Sequence, residues 1–445
     1  MITSEPVLAV GVMEGREKVT GSLHGAFLDG TDNLHEGDLT ITHDGRGWEI
    51  TAGAHHVRMD GADVRFSPAT PSSVFRLDDV TIGIHFHWER KEPQVFHGAL
   101  HLHHIPGAGI TAINEVPLEE YLKSVISSEM SATAPPALLQ AHAITSRSWL
   151  VAMLERRSHD VIHPPGVIRG PEGSEIIRWY TREDHEGFDV CADDHCQRYH
   201  GVTKIISTAA TEAIESTRGM FLVHDGNVCD ARFYKACGGK TEEFPSAWED
   251  TDIPYLQCIV DGPASPVPDL TTVRGMEHWL NHPPDAYCNT TDPEILRQVL
   301  PSFDQETTDF FRWRVRYEAK DLADLIARRS GMDLGRIRSL DPVRRGPSGR
   351  ITALRIVGSR STVTVGKELE IRRWLSDSHL YSSAFVVEAE PGADGYPSAF
   401  TLRGAGWGHG VGLCQIGAAV MATRGMTAET IVSHYFPNAT LRRLY

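Results

Sequence analysis

From Val7 to about residue 110 the chain runs largely in a period of two. VLAVGV (7–12), TIGIHFHW (81–88) and ALHLHHI (99–105) alternate or run apolar, and DG pairs at 29–30 and 44–45 mark turns. This spacing predicts β-strands. In segments 81–88 and 95–104 the even positions carry Ile82, Ile84, Phe86, Trp88, Phe96, Leu100 and Leu102, and the odd positions carry His85, His87, His97, His101 and His103. Taken as a strand pair, they present a histidine-rich face. A polar sheet face is the preferred reading, because no Cys or carboxylate joins the pattern; a metal cluster is the alternative.

At Pro117 the period changes. LEEYLKSVISSEMSATAPPALLQAHAITSRSWLVAML predicts two amphipathic helices, with Pro117 and the pair Pro135 and Pro136 near their starts, where a missing N–H costs least. On the first helix Leu118, Leu122, Val125 and Glu129 fall on one stripe, at spacings of four, three and four. Glu120 points roughly the opposite way, and Glu119 also turns from Glu129. A carboxyl thus occupies a position where a leucine would be expected.

Further along, residues 163–203 read as a loop-rich segment bearing His, Cys and Asp. TAATEAIESTRG reads as a helix, and FLVHDGNVCDARFYKACGGKTE as strand and turn. An insertion at about 262–335 is rich in Pro and charge, with helical patches around 294–330. Strands return in RIRSL, ITALRIVG, STVTVG and AFVVEAE, before a glycine-laden loop and a last helix. The expected fold class is α+β: a mixed β-sheet core with a helical pair carrying Glu129, preceded by a β-rich N-terminal region. The expected domains are 1–110 and 111–445, the second holding the insertion.

Composition narrows the function. The chain has 445 residues, 41% hydrophobic and 23% charged, enough for a sizeable core. A net charge of −16 argues against binding nucleic acid through phosphates or docking on anionic lipid. No apolar run reaches the roughly 18 residues of a membrane span. The N-terminal MITSEPVLAVGVMEG reads as a strand rather than a secretory leader. Seven scattered cysteines do not make a disulfide scaffold.

Four segments could carry chemistry. A desolvated Glu129 would have a raised pKa and could act as a general acid/base; the alternative is a structural ion pair with Arg147 on the second helix. In HEGFDVCADDHCQRYHG, Cys191 and Cys196 with His185, and with His195 and His200 available, offer zinc ligands; a local disulfide is the rival. In RFYKACGGKTEEF the phosphate-loop reading fails, because Tyr234 stands where a Gly is required. The glycine pair instead suits close backbone approach to a ligand or another segment. In GAGWGHGVGLCQIGAAV glycines alternate from 404 to 412, but no frame gives G-x-G-x-x-G, which excludes dinucleotide binding. What remains is a flat loop carrying Trp407 and His409 into a helix.

Together the segments PLEEYLKSVISSEMSATAPPALLQAHAITSRSWL, FYKACGGKTE, and GWGHGVGLCQIGA followed by IVSHYFPNATLRRLY closely resemble the SpoIID/LytB family of bacterial cell-wall proteins, and IRRWLSDSHLYSSAFVVE is similar to the family's stretch before the glycine loop. The likeness covers about residues 110–445. It implies a lytic transglycosylase cutting peptidoglycan glycan strands, preferably stripped of stem peptides, with Glu129 as the single acid/base. Arg147, Tyr234, Lys240, His409 and Gln415 become candidates for holding sugars or stabilising the oxocarbenium-like state. Some members bind zinc through a His and two Cys, which His185, Cys191 and Cys196 match in order; the zinc would be structural. The alternative is a non-enzymatic amidase enhancer of the LytB type, with a cell-wall amidase as partner. Either role implies a location in the cell envelope. The sequence departs from the commonest family pattern at Cys237 and Cys414, which replace serines.

Overall fold

The computed structural model describes residues 2–84, 89–131, 133–157, 167–169, 174–180, 185–193, 195–205, 208–263, 266–300, 309–378, 380–392 and 394–445. The fold is α+β, with a β-rich N-terminal sheet, helices and several smaller sheets. It divides into two compact units.

The first unit comprises residues 1–133, 184–220 and 443–445, so it runs past the sequence-based boundary near 110 and collects a later segment. Ten strands come first: β1 (Val7–Arg16), β2 (Lys18–Leu28), β3 (Leu34–His43), β4 (Gly47–Ala52), β5 (His55–Asp60), β6 (Asp63–Pro68), β7 (Val74–Ile82), β8 (Arg90–Phe96), β9 (Ala99–Ile105) and β10 (Gly109–Pro117). They join one sheet with an eleventh short strand, Val190–Cys191, along the order Val190–Cys191, β1, β10, β9, β6, β2, β3, β4, β5; β7 pairs with β2 and β8. Alternate residues such as Phe27, Phe66, Phe75, Phe96 and Trp48 are fully buried, as the period of two requires. At the DG turn of 44–45 the Asp44 carboxylate accepts the N–H groups of Arg46 (2.8 Å) and Gly47 (2.9 Å), the ordinary turn chemistry of Asp.

The expected pairing of 81–88 with 95–104 does not occur as drawn. Phe96 ends β8, which pairs with β7, and Leu100 and Leu102 sit on β9, which pairs with β6 and β10. The break is Gly98, whose φ of 89° and close approach to the Glu115 carbonyl leave no room for a side chain. His85 and His87 lie outside the described residues. Carboxylates do join the remaining histidines: Asp63 takes hydrogen bonds from His101 and His103 at 2.8 Å each, and Glu115 lies 3.6 Å from His101.

Helix α1 (Leu118–Glu129) follows β10 directly, with Pro117 as its N-cap, and buries Leu118, Tyr121, Leu122, Val125 and Ile126 completely. It ends where Met130 turns extended. The second unit, 134–183 and 221–442, opens with helix α2 (Pro136–Arg157). The helix of TAATEAIES, α3 (Thr208–Ser216), lies in the first unit. The second unit holds a five-stranded sheet ordered 167–169, 175–178, 362–366, 351–358, 337–345, and a three-stranded sheet ordered 312–318, 397–405, 385–391. Strand Arg312–Glu318 belongs to the stretch read as an insertion, yet it pairs along its length with 399–405. One apolar core, including Trp313, Leu322, Leu354, Trp374, Phe385 and Phe400, joins the two sheets.

Candidate functional site

Glu129 is the last residue of α1 and is half-buried, in line with a stripe whose other members are fully buried. The other two acids of the helix are engaged elsewhere. Glu120 pairs with Lys123 at 2.5 Å. Glu119 turns away from Glu129 as expected, but inward: it is 1% exposed and accepts the Gly219 N–H (3.1 Å) and the Tyr445 hydroxyl (2.7 Å). Helix arithmetic could not foresee those partners, which come from residues a hundred and more positions away.

Near Glu129 stands His200, whose backbone N–H donates to Ser124 Oγ at 3.0 Å. Its ring is buried, and Nδ1 has no hydrogen-bond partner among the described residues. Burial, with Arg198 and Lys204, pushes its pKa down to about 4, against the opposing pull of Glu92 and Glu129. The imidazole is therefore neutral above acid pH, and His200 is not part of the thiol cluster described next.

His185, Cys191 and Cys196 do come together, and His195 joins them. One donor atom from each of the four lies within 4.8 Å of all the others. His185 Nε2 is 3.3 Å from Cys196 Sγ, and His195 Nδ1 is 3.6 Å from Cys196 Sγ and 3.9 Å from Cys191 Sγ. No disulfide joins Cys191 and Cys196 in the structure, which speaks against the rival reading. The segment is fixed from outside the cluster. Val190–Cys191 pairs in parallel with Val10–Gly11 of β1, and the Asp189 carboxylate accepts the Ala9 N–H at 2.8 Å. Asp193 caps Gly83 and Ile84 (3.2 and 2.9 Å), while the Phe188 ring lies where any side chain at Gly11 would stand. Two thiols and two imidazoles at these separations fit a closed tetrahedral zinc site.

The other candidates belong to the second unit. Arg147 is fully buried on α2, its guanidinium 6.0 Å from the Phe221 ring centre. The glycine pair of 238–239 and the glycine loop of 404–412 pack on one another. Ala236 bridges Trp407, Phe233–Tyr234 pairs in parallel with Leu413–Cys414, and a side chain at Gly238 would meet the backbone of Ala405 and Gly406. The close approach read from the glycines is thus between two segments of the chain. Two buried groups that sequence reasoning missed bind them. Arg350 donates to the carbonyl of Gly408 (3.1 Å) and to Ser348 Oγ (2.9 Å), and Glu242 accepts the Ser348 hydroxyl (2.5 Å).

This packing turns several sugar-binding candidates inward. Tyr234 is 5% exposed, with a hydroxyl that finds no hydrogen-bond partner among the described residues. Gln415 is 1% exposed, its amide 3.0 Å from His142 Nε2. Lys240 is half-buried and donates to the Pro347 carbonyl at 3.0 Å. His409 is half-exposed; its Nδ1 accepts the Val411 N–H (3.1 Å). Burial, then the cations Arg232, Arg350 and Arg372, hold the ring neutral. Edge-to-face contacts join it to Tyr234 and Trp248. What His409 can offer a ligand is its ring.

Residues 107–224 match the family model described as stage II sporulation protein, SpoIID, and residues 242–412 match a domain of unknown function, DUF8618. Stage II sporulation protein D of Bacillus subtilis is 25% identical over 331 residues, covering 73% of this chain and 74% of its own. The Bacillus amyloliquefaciens protein of the same name is 23% identical over 326 residues, with the same coverage. Over residues 107–224 the chain matches the SpoIID family. It is also distantly similar to the amidase enhancer of Bacillus subtilis, at 22% identity over 259 residues, 52% of this chain and 32% of that protein. The segment matching SpoIID holds Glu129, Arg147, His185, Cys191 and Cys196, whereas Tyr234, Lys240 and Gln415 lie outside both matched segments. Among the described residues no helix is long and apolar enough to cross a membrane.

Proposed function

We propose that the protein is a lytic transglycosylase of peptidoglycan glycan strands, acting in the cell envelope with Glu129 as its single acid/base. The observation that carries this reading is the place of Glu129, which ends the buried stripe of α1 and is itself half-exposed. A hydrolase of the usual kind pairs two carboxyls around a water. One carboxyl suffices if the sugar supplies its own nucleophile. Glu129 protonates the glycosidic oxygen as the C1–O bond breaks; the muramic acid C6 hydroxyl then attacks C1 and returns its proton to Glu129. A 1,6-anhydro ring forms and no water is consumed.

Arg147 is too deeply buried to touch a strand, so its proposed part is positional. Tyr234, Lys240 and Gln415 would support the glycine loop from beneath, with His409 and Trp407 as its ligand-facing rings. At His185, Cys191, His195 and Cys196 we place a structural zinc, which when bound would clip residues 185–196 against β1.

Digestion of purified, peptide-free glycan strands followed by mass analysis tests the proposal. Anhydro-ended products are expected, and Glu129→Gln should lower their rate at least ~10²-fold, the scale of general acid/base catalysis, with glycan binding retained. Reducing ends would mean a hydrolase. Absence of cleavage would favour a wall-binding amidase enhancer, and a fully active Gln variant would sink the single-carboxyl mechanism.

A further inference from the structure

A second group of metal-type donors lies in the interior of the other unit. Cys237, Asp261, Cys288 and Cys414 each place one donor atom within 4.8 Å of all the others. All four are buried, at 3%, 0%, 1% and 0% exposure. They arrive on separate elements: the glycine-pair turn, the stretch after Val260, the loop before helix Pro293–Val299, and the residue that caps helix Gln415–Thr423.

The contacts are those of a ligand shell. Cys237 Sγ lies 3.2 Å from Cys288 Sγ and 3.1 Å from Asp261 Oδ2. The sulfurs also accept backbone N–H groups, Cys414 Sγ from Cys237 (3.3 Å) and Cys237 Sγ from Gly239 (3.4 Å). The Asp261 carboxylate is oriented from behind: Tyr435 donates to Oδ1 at 2.6 Å, and the Cys288 N–H to Oδ2 at 3.2 Å. A side chain at Gly417 would stand 2.2 Å from the Tyr435 hydroxyl and 2.8 Å from the carboxylate, so this glycine lets the helix approach. Such outer contacts orient ligands at metal sites.

A disulfide explains less. A Cys237–Cys288 bond would need about 2.05 Å and would leave the Cys414 thiol and the Asp261 carboxylate buried without a cation between them, a costly arrangement. Tetrahedral zinc with Zn–S near 2.3 Å sets sulfurs about 3.8 Å apart, which requires the Cys237 and Cys288 sulfurs, 3.2 Å apart here, to separate by about 0.6 Å. Three thiolates and a carboxylate around a divalent ion carry a net negative charge. The guanidinium groups of Arg312 and Arg350 reach the adjoining carbonyls of Gly238 (3.0 Å) and Cys237 (3.4 Å).

We propose that Cys237, Asp261, Cys288 and Cys414 form a second, structural divalent-metal site of the zinc type, distinct from the one at 185–196. Elemental analysis of the full chain, purified under reducing conditions, tests it. Two equivalents of zinc are expected in the wild type and one in the Cys191→Ser/Cys196→Ser variant, falling to none when Cys288→Ser is added. Should the triple variant fail to fold, cobalt substitution of the Cys191→Ser/Cys196→Ser chain gives an independent readout: sulfur-to-cobalt charge-transfer absorption supports the site. No metal in the Cys191→Ser/Cys196→Ser chain, a Cys237–Cys288 disulfide in the mass map, or an unchanged metal count after Cys288→Ser would each overturn it. Because the count is made in a chain lacking the first thiol pair, it stands apart from the transglycosylase reading and from zinc at 185–196.

Discussion

The cluster at 185–196 and the cluster of Cys237, Asp261, Cys288 and Cys414 each bring four donor atoms within 4.8 Å, but by opposite routes. The first is local. Its ligands lie within one short stretch, His195 is exposed, and the segment is tied to β1 by hydrogen bonds that need no metal. The second is assembled from distant parts of the chain, and its donors are all buried. Loop-closure cost rises only with the logarithm of length, so a roughly tenfold longer loop adds ~2 kcal/mol. The larger difference is burial. An exposed site can lose its ion and rehydrate its ligands, whereas a buried one leaves thiols and a carboxylate unpaired in the interior. Metal binding at the second cluster should therefore be bound up with folding of its unit, and at the first with local order only.

The comparison can be broken most directly by stability. Cys237→Ser/Cys288→Ser should lower the melting temperature of the zinc-loaded chain by at least ~10 °C, given the free energies typical of structural zinc and the slope for a unit of this size. Cys191→Ser/Cys196→Ser should lower it by only ~3–5 °C, because β1 still holds the segment. Calorimetry on both variants decides; equal or reversed effects would mean that burial does not set the coupling.

A kinetic contrast should follow in the wild type. Challenged with EDTA at neutral pH, one equivalent of zinc should leave quickly. The other should leave at least ~10-fold more slowly, at a rate that tracks unfolding, since opening of the interior must precede release. A chromophoric chelator read against time resolves the two phases. A single fast phase of two equivalents would place both sites within reach of solvent.

The contrast also explains what could be read from the sequence. Periods of two and 3.6 located the N-terminal strands, α1 and α3, because those patterns are local and each element has one buried face; the second helix, expected to be amphipathic, is instead buried on every side from Ala141 to Ser148. His185, Cys191 and Cys196 were visible for the same reason, and His195 was in view within the same stretch. What escaped was non-local. Gly98 divided a run that alternation had joined, and the burial of Glu119 depends on Gly219 and Tyr445. Strand Arg312–Glu318 sits in a stretch whose Pro and charge suggested an insertion, yet it finds its partner in 397–405. The grouping of Cys237 and Cys414 with Asp261 and Cys288 also escaped, because these residues lie far apart in the chain. Single-sequence patterns carry neighbours along the chain; they do not carry neighbours in space.

The finest test concerns how the buried carboxylate is held. Tyr435 donates to Asp261 Oδ1 at 2.6 Å, and the only other side chain near that oxygen among the described contacts is His434, at 3.7 Å. If Asp261 Oδ2 faces the ion, the tyrosine fixes the carboxylate's rotation without touching the metal, and Tyr435→Phe removes that support while keeping the ring. Loss of an outer-shell partner at a metal site costs about 10–100-fold in affinity, or about 1.4–2.7 kcal/mol. The substitution should weaken zinc at this site by that amount and leave the 185–196 site unchanged, as measured by competition with a chelator of known affinity in the Cys191→Ser/Cys196→Ser and wild-type chains. The melting temperature at saturating zinc should move by only a few degrees, which separates positioning of a ligand from general packing. If zinc affinity holds while stability falls, the tyrosine serves the core alone, Asp261 is not a ligand, and the second site reduces to its three thiols.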